Sequence, residues 1–128
     1  MIRIISFGYG HAPAPTAEAT YDLRKLFDNP FDDPELKHLT GLDAPVYDHV
    51  LKTRGVEELA VWVANGAIGL NRSTGVDVVL AYGCIGGRHR SVALARLTRE
   101  HLQLAGRTVS VQHRDITKPL LPPGVHRR

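Results

Sequence analysis

Residues 78–91 read VVLAYGCIGGRHRS, an apolar and β-branched run that ends in a glycine turn and continues into a basic segment. The apolar run predicts a strand that is buried on both faces. The glycines favour a tight turn, and the spacing of the apolar residues over 91–105 predicts a helix that Gly106 ends. A strand that leads directly into a helix in this way is typical of an α/β protein.

Three further segments predict the rest of the sheet. Residues 2–7 read as a buried strand, residues 21–24 alternate as a short strand does, and residues 108–111 predict a last strand. Because a strand–helix–strand unit crosses over right-handedly, its two strands run parallel. We therefore predict an α/β fold with a small, mostly parallel sheet flanked by helices.

Two helices are predicted before the central strand. One begins at Pro45 with Asp43 as its cap, and the other covers residues 56–70. We expect Trp62 to be a packing anchor, since its neighbours at helical spacing are apolar. The residues predicted to face the core are Leu59, Trp62, Val63, Ala67 and Leu70, and after the glycine turn Val92, Leu94, Ala95, Leu97, Leu102 and Leu104.

Length and composition indicate one domain. The chain has 128 residues, of which 43% are hydrophobic, and no apolar run approaches the length that spans a membrane. We assign residues 1–117 to the domain and residues 118–128, which are basic and contain three prolines, to a flexible tail. One cysteine forms no internal disulfide, and the start of the chain lacks a secretory pattern, so a cytoplasmic location is expected.

The charge is divided unevenly along the chain. Residues 1–87 carry a net charge of −4 and residues 88–128 a net charge of +7. A basic face of this kind attracts polyanions such as RNA through their phosphates. The other interpretation is a solvated basic surface balanced by acidic segments packed beside it. Charge alone leaves both interpretations open.

The glycine turn is itself a candidate anion site. Backbone N–H groups of Gly86 and Gly87, together with the unpaired N–H groups and positive dipole end of the following helix, favour phosphate, sulfate or carboxylate. The side chains that add donors at this place are Arg88, His89, Arg90 and Ser91. The alternative is that the glycines only connect strand to helix and that the arginines lie in solvent.

Polar clusters follow the ends of four predicted strands. In open α/β sheets ligands bind beyond the carboxyl ends of the strands, so we expect these clusters to converge. They comprise residues 9–11, Asp22 with Arg24, residues 84–91, and His113 with Arg114 and Asp115. The seven histidines lack the paired spacing of a metal site, and neither a metal nor a cofactor is expected.

Short blocks spread over most of the chain carry a family resemblance. They are SFGY at 6–9, DLR at 22–24 with NP at 29–30, DP at 33–34 with Leu36, LTGLD at 39–43, GCIGGRHRS at 83–91 and QHRD at 112–115. By these blocks the chain resembles the C-terminal domain of the RapZ family of bacterial proteins, which are described as nucleotide-binding RNase adapters. The resemblance implies a fold like a subdomain of phosphofructokinase, self-association, binding of an amino-sugar phosphate and, in some bacteria, binding of small RNAs.

Two family features are altered here and one is missing. Ile85 stands where the family usually has threonine, and the family's lysine-rich tail is represented only by Lys118, Arg127 and Arg128. Full-length members carry an N-terminal P-loop domain, but these 128 residues contain no Gly-Lys-Ser or Gly-Lys-Thr. We therefore expect no P-loop ATPase or kinase activity from this chain.

The resemblance gives roles to the candidate residues of a ligand-binding regulatory domain. The phosphate would lie on Gly86 and Gly87 with the arginine and histidine side chains that follow. Asp22 would accept sugar hydroxyls or pair with an amino group, with Arg24 beside it. Alternatively, Asp22 and Arg24 pair with each other.

A cysteine-dependent phosphatase is the second hypothesis. Cys84, Gly87, Arg90 and Ser91 fit the Cys-x-x-Gly-x-x-Arg-Ser spacing, in which a thiolate attacks phosphorus while loop amides and the arginine hold its oxygens. Gly83 stands where those enzymes have histidine, and no position singles out a general acid. We favour a buried structural cysteine, and a binding domain over an enzyme.

Overall fold

Four parallel strands form one sheet in the computed structural model, which describes residues 1–126. The strands are β1 (Ile2–Gly8), β2 (Ala19–Asp22), β3 (Val78–Cys84) and β4 (Val109–His113). Their order across the sheet is β2-β3-β1-β4, and each neighbouring pair is parallel. The predicted α/β class is confirmed, and the sheet is parallel throughout.

Four helices and one short 3-10 turn connect or follow the strands. They are the turn Pro30–Asp32 and the helices α1 (Ala44–Leu51), α2 (Val56–Thr74), α3 (Arg90–Leu104) and α4 (Pro123–His126). Helices α2 and α3 pack on each other and on the sheet. None of the helices in the described part of the chain is both long and apolar enough to pass through a bilayer.

The core lies between the sheet and these helices. Along β1, Ile2 and Ile4 are buried whereas Arg3 between them is exposed, as the alternation of a strand requires. On β4, Ser110 and Gln112 are likewise exposed. Each fully buried isoleucine stabilises the fold by about 1.5–3 kcal/mol. The sheet therefore has one face in the core and one face with exposed polar positions.

Three residues predicted to lie in the core are exposed. Trp62 is 71% exposed, Leu104 is 86% exposed, and Leu70 is also on the surface. Val63 and Ala67, which were also predicted to face the core, are buried as expected, and Trp62 is rotated by about 100° from Val63 around the helix axis. The prediction for these three residues is wrong: the apolar stripe of α2 is wider than the face that contacts the rest of the domain, and Leu104 is the last residue of α3, where the helix ends at the surface.

The predicted cap of α1 is confirmed in its position, but it makes no side-chain hydrogen bond to the helix. Asp43 occupies the N-cap position of α1, but its side chain makes no capping hydrogen bond. Its Oδ2 accepts from the Thr40 N–H at 2.8 Å. The carboxylate therefore closes the preceding turn instead of the helix.

The predicted tail, residues 118–128, is partly described. Leu121 lies so close to Gly10 that a Cβ on that glycine would overlap it. Arg127 and Arg128, which belong to the same predicted tail, lie outside the described residues. The flexibility of the tail stays a prediction.

Candidate functional site at the carboxyl edge of the sheet

The loop after β1 is joined to the loop after β3 by main-chain hydrogen bonds. The Tyr9 N–H donates to the Cys84 carbonyl at 2.8 Å, and the Gly10 N–H donates to the Ile85 carbonyl at 2.9 Å. Since β1 and β3 are neighbours and parallel, both loops leave the sheet at the same edge. This pairing extends the sheet beyond the ends of its strands.

Main chain packs directly against main chain where these two loops cross. A Cβ on Gly8 would lie 2.5 Å from the carbonyl carbon of Gly86, and one on Gly87 would lie 2.6 Å from the Gly8 nitrogen. Gly87 also has a φ of 71°, a left-handed conformation that favours glycine. Gly83 and Gly86 have negative φ in the structure. The protein's own main chain therefore covers this side of the glycine turn.

The thiol of Cys84 is enclosed by the same turn. Its Sγ donates to Ser91 Oγ at 3.2 Å and accepts from the Gly87 N–H at 3.3 Å. Cys84 is only 3% exposed, and Ser91 is fully buried. The N-cap position of α3 is occupied by His89, so Ser91 binds the thiol and does not cap the helix. The sulfur is therefore almost entirely shielded from solvent.

Arg88 and His89 both bind main-chain carbonyls of neighbouring segments. Arg88 Nη1 donates to the Ile116 carbonyl at 3.1 Å, and Nη2 donates to the His38 carbonyl at 2.8 Å. His89 Nε2 lies 3.1 Å from the Lys37 carbonyl oxygen. These side chains join the turn after β3 to the segment before α1 and to the segment after β4.

Arg90 is buried and binds a third segment. It is 3% exposed, and its Nη1 donates to the carbonyls of Leu23 at 2.9 Å and of Arg24 and Leu26 at 3.3 Å each. Burial lowers the pKa of this guanidinium. Its Nε has no hydrogen-bond partner among residues 1–126. Arg88 and Arg90 therefore point to different parts of the chain and do not meet around one hollow.

An open cleft lies beside the turn, where β1, β2 and β3 end. Its volume is about 510 Å³. The residues that line it are Tyr9, Gly10, Asp22, Arg24, Lys25, Ile85 and Val125. Three of the four predicted polar clusters thus contribute to one cleft.

Asp22 and Arg24 form a forked ion pair at this cleft. Arg24 Nη2 donates to Asp22 Oδ2 at 2.6 Å, and Nε donates to both carboxylate oxygens. The hydrogen bonds from Arg24 lower the pKa of Asp22, which is therefore ionised at neutral pH. The guanidinium carbon lies 3.8 Å from the centre of the Tyr9 ring. Burial, followed by the charge of Asp22, raises the pKa of Tyr9, so its hydroxyl keeps its proton.

Lys25 and Val125 are cleft residues that the sequence analysis missed. Lys25 directly follows the predicted cluster of Asp22 and Arg24, and that position was the available signal. Lys25 also borders a second hollow of about 640 Å³, to which Lys52 and Arg54 contribute. Val125 lies in the segment predicted to be a flexible tail, and no local pattern indicates its position.

Arg114 and Asp115, at the end of β4, hold the loop after β1. Asp115 is fully buried and accepts from the Gly8 N–H at 2.7 Å, Arg114 Nη2 at 2.9 Å and Lys118 Nζ at 2.6 Å. Arg114 Nη1 also donates to the Pro13 carbonyl. Burial would raise the pKa of Asp115, but these hydrogen bonds outweigh it and hold the pKa at about 2.

His113 lies on the far side of the sheet edge from Asp22. Strands β2 and β4 are the two outer strands, so three strand spacings, about 14 Å, separate them. His113 Nδ1 lies 2.6 Å from Ser6 Oγ, and burial, followed by the charge of Arg99, lowers the pKa of His113. Neither His113 nor its neighbour Arg114 lines the cleft.

The described residues offer no metal centre. Within 1–126 no three His, Cys, Asp or Glu side chains lie close enough together to hold an ion. The open cleft at the carboxyl edge is lined by two cations, Arg24 and Lys25, by the carboxylate of Asp22 and by the phenol of Tyr9.

Comparison with known proteins identifies a family and several relatives. The family model described as the RapZ C-terminal domain matches residues 1–117. A nucleotide-binding protein of Bifidobacterium adolescentis is 40% identical over 121 residues, which cover 91% of this chain and 39% of that protein. Nucleotide-binding proteins of Petrotoga mobilis and Thermotoga neapolitana are 36% and 39% identical over the same share of this chain, and over 42% and 43% of their own lengths. The chain spans about two fifths of the length of these curated relatives.

Proposed function

The chain belongs to the RapZ C-terminal domain family, and from that premise we propose that it is a regulatory domain whose cleft binds a phosphorylated amino sugar. The cleft is the one that Tyr9, Asp22, Arg24 and Lys25 line beside the glycine turn. The observation that carries the proposal is an excess of positive charge at this edge.

Three cations at or behind the cleft form no salt bridge within the described part of the chain. Among residues 1–126, no carboxylate lies within salt-bridge distance of Lys25, Arg88 or Arg90. Of these three only Arg90 is buried, and an anion that enters nearby reduces the cost of burying its charge. The N-terminus of α3, directly after the turn, adds the positive end of a helix dipole.

Different side chains of the cleft bind the phosphate and the sugar of the ligand. Lys25 and Arg24 face the phosphate, because they are the cations that line the open space. Asp22 is ionised and accepts hydrogen bonds from an ammonium group of the sugar, and the Tyr9 hydroxyl donates to a sugar oxygen. Arg90 contributes charge from behind and does not touch the phosphate. In this respect the proposal differs from the arrangement that the sequence predicted.

Thermal unfolding in the presence of chosen ligands tests the proposal. Glucosamine 6-phosphate should raise the Tm by several degrees at a concentration of one hundred times its Kd, which corresponds to about 2.7 kcal/mol. Glucose 6-phosphate should give a smaller shift, and glucosamine alone almost none. A larger shift with ATP than with glucosamine 6-phosphate would assign the cleft to another ligand class.

Two variants of the cleft separate the roles of its charges. Asp22→Asn should reduce the preference for glucosamine 6-phosphate over glucose 6-phosphate, whereas Arg24→Gln should weaken both ligands. Arg3→Gln is the matched control, because Arg3 is an exposed arginine on the open face of the sheet. If both cleft variants respond to ligand as Arg3→Gln and the wild type do, the cleft is not the binding site.

The phosphatase hypothesis ranks below this proposal. It needs the Cys84 thiolate to reach a phosphorus atom, but the thiol is enclosed by the turn and by the loop after β1. The Arg90 guanidinium, which would have to hold the phosphate oxygens, donates to main-chain carbonyls. Turnover of p-nitrophenyl phosphate that Cys84→Ser abolishes would reverse this ranking.

RNA binding, which the resemblance implies for some members, has weaker support. Arg88, Arg90 and Arg114 contribute to the +7 of residues 88–128, but each donates to main-chain carbonyls inside the domain. Part of the basic charge therefore lies on side chains that hold segments of the domain together. RNA binding that weakens steeply as salt rises would support this function in addition to the cleft.

A further inference from the structure

The segment after Lys118 lies against the loop after β1. A Cβ on Gly10 would lie 2.3 Å from Leu121 Cδ1 and 3.5 Å from Val125 Cγ1, so both side chains pack on the Cα of that glycine. The φ of Gly10 lies outside the left-handed region. Close packing, and not the backbone conformation, is therefore what favours glycine at this position.

Residues 119–125, here termed the strap, turn one side toward the domain. The two leucines of the strap and Val125 are partly buried, whereas residues 122–124 are exposed. Three of the seven residues are prolines, which restrict the backbone and reduce the conformational entropy that docking costs. The family model ends at residue 117, so the family assignment does not describe this segment.

The start of the strap is fixed to the loops that form the cleft. Lys118, directly before the strap, binds the buried Asp115 carboxylate at 2.6 Å, and that carboxylate also accepts from the Gly8 N–H at 2.7 Å. Arg88 Nη1, from the turn after β3, donates to the Ile116 carbonyl at 3.1 Å. The strap therefore begins at a point that is held to both the loop after β1 and the turn after β3.

The strap contributes to the apolar side of the cleft. Val125 and Ile85 are aliphatic lining residues, whereas the charged lining residues all come from residues 22–25. The Gly10 N–H donates to the Ile85 carbonyl at 2.9 Å, so the residue on which the strap packs is also joined to the turn after β3. A sugar ring carries C–H groups as well as hydroxyls, and it can pack the former on aliphatic side chains while the latter meet polar groups.

We propose that the strap is part of the ligand site: docked on Gly10, it supplies the aliphatic wall on which the sugar ring packs, and ligand binding and strap docking favour each other. The inference rests on the proposed function, since it concerns the same cleft. With the strap docked the cleft still measures about 510 Å³, which is within the range of small-molecule sites. The strap is therefore a wall of the site and not a plug in it.

The coupling between strap and ligand acts in both directions. A ligand that binds the docked form more tightly holds the strap in place, and a change that releases the strap weakens the ligand by the same factor. Leu121 is the residue that separates the two effects, because it packs on Gly10 but does not line the cleft.

Backbone relaxation measured by NMR tests docking in the absence of ligand. The amides of Leu121 and Val125 should have order parameters of about 0.85 in the wild type and below about 0.6 in Gly10→Ala, because the added Cβ overlaps Leu121. Gly69→Ala is the matched control, since no atom of residues 1–126 lies within 4 Å of the position of its Cβ. Order parameters below about 0.6 in the wild type itself would show that the strap does not dock and would overturn the proposal.

Calorimetric titration with glucosamine 6-phosphate tests the coupling. Leu121→Ala should raise the Kd at least fivefold, because the strap loses its contact with Gly10. Leu104→Ala, at a leucine that is 86% exposed at the end of α3, should leave the Kd unchanged. The double variant Gly10→Ala/Leu121→Ala should lose no more affinity than the weaker-binding single variant, since both changes act on one contact.

The titration also distinguishes failure of this proposal from failure of the proposed function. If the wild type does not bind glucosamine 6-phosphate, the proposed function fails and the coupling fails with it. If the wild type binds and Leu121→Ala binds equally tightly or more tightly, the cleft is the ligand site but the strap is not part of it, and only the present proposal is overturned.

Discussion

The turn after β3 and the cleft beside it both carry arginine, but the two regions use it in opposite ways. In the turn, Arg90 is 3% exposed, and it donates to carbonyls of the segment after β2. In the cleft, Arg24 is partly exposed and its donors face Asp22 and open space. One guanidinium joins segments of the domain, and the other forms an ion pair with Asp22 at an open cleft.

This difference shows that the hydrogen-bond partners of an arginine, and not its place in the sequence, distinguish a structural arginine from one that lines an open cleft. The basic residues directly after the glycines are the strongest anion signal in the sequence, yet their donors are directed to main-chain carbonyls. The cations that line the cleft stand at the end of a short outer strand. Substitutions that separate stability from ligand binding test this division.

The largest effect is expected from Arg90→Ala. This change removes the Arg90 donor from the carbonyls of Leu23, Arg24 and Leu26 and should lower the free energy of unfolding by about 3 kcal/mol or more. Urea denaturation followed by circular dichroism measures it. A loss below about 1 kcal/mol would mean that Arg90 is not a structural residue, and the contrast with Arg24 would disappear.

The next effect concerns Asp115 and pH. Its folded pKa of about 2 lies below the ordinary value of about 3.9, so its ionised form stabilises the fold above pH 4 by roughly 2.5 kcal/mol. That stability should be lost as the pH falls from 4 to 2.

Asp115→Asn provides the control for this pH dependence. The variant should be less stable than the wild type at pH 7, and its own stability should change less between pH 4 and 2. Urea denaturation at several pH values makes the comparison. Parallel pH curves for the two proteins would show that another carboxylate is responsible.

The smallest effect on stability is expected from Arg24→Gln. The ion pair with Asp22 is partly exposed, and such pairs contribute about 0–1 kcal/mol. The unfolding midpoint should therefore stay close to that of the wild type, while the Tm shift caused by glucosamine 6-phosphate should be largely lost. A strongly lowered unfolding midpoint would mean that Arg24, like Arg90, stabilises the fold.

The sequence was sufficient to predict the order of the elements and the edge of the sheet that carries the polar residues. Periodicity identified the four strands and the helices α1 to α3 but not α4, which lies in the predicted tail. Parallel topology placed residues 9–11, Asp22 and Arg24 at one edge. Which carbonyls Arg88 and Arg90 would bind depends on segments distant in sequence, and local pattern does not encode it. The exposure of Trp62 was missed for a related reason, since periodicity shows that a helix has an apolar stripe but not how much of it the domain covers.

Chemical-shift mapping of the amides during titration with glucosamine 6-phosphate tests the central claim most directly. The account predicts saturable shifts concentrated at the cleft residues Tyr9, Gly10, Arg24, Lys25 and Ile85. Shifts concentrated at residues 113–115, or no saturable shifts at millimolar ligand, would contradict it.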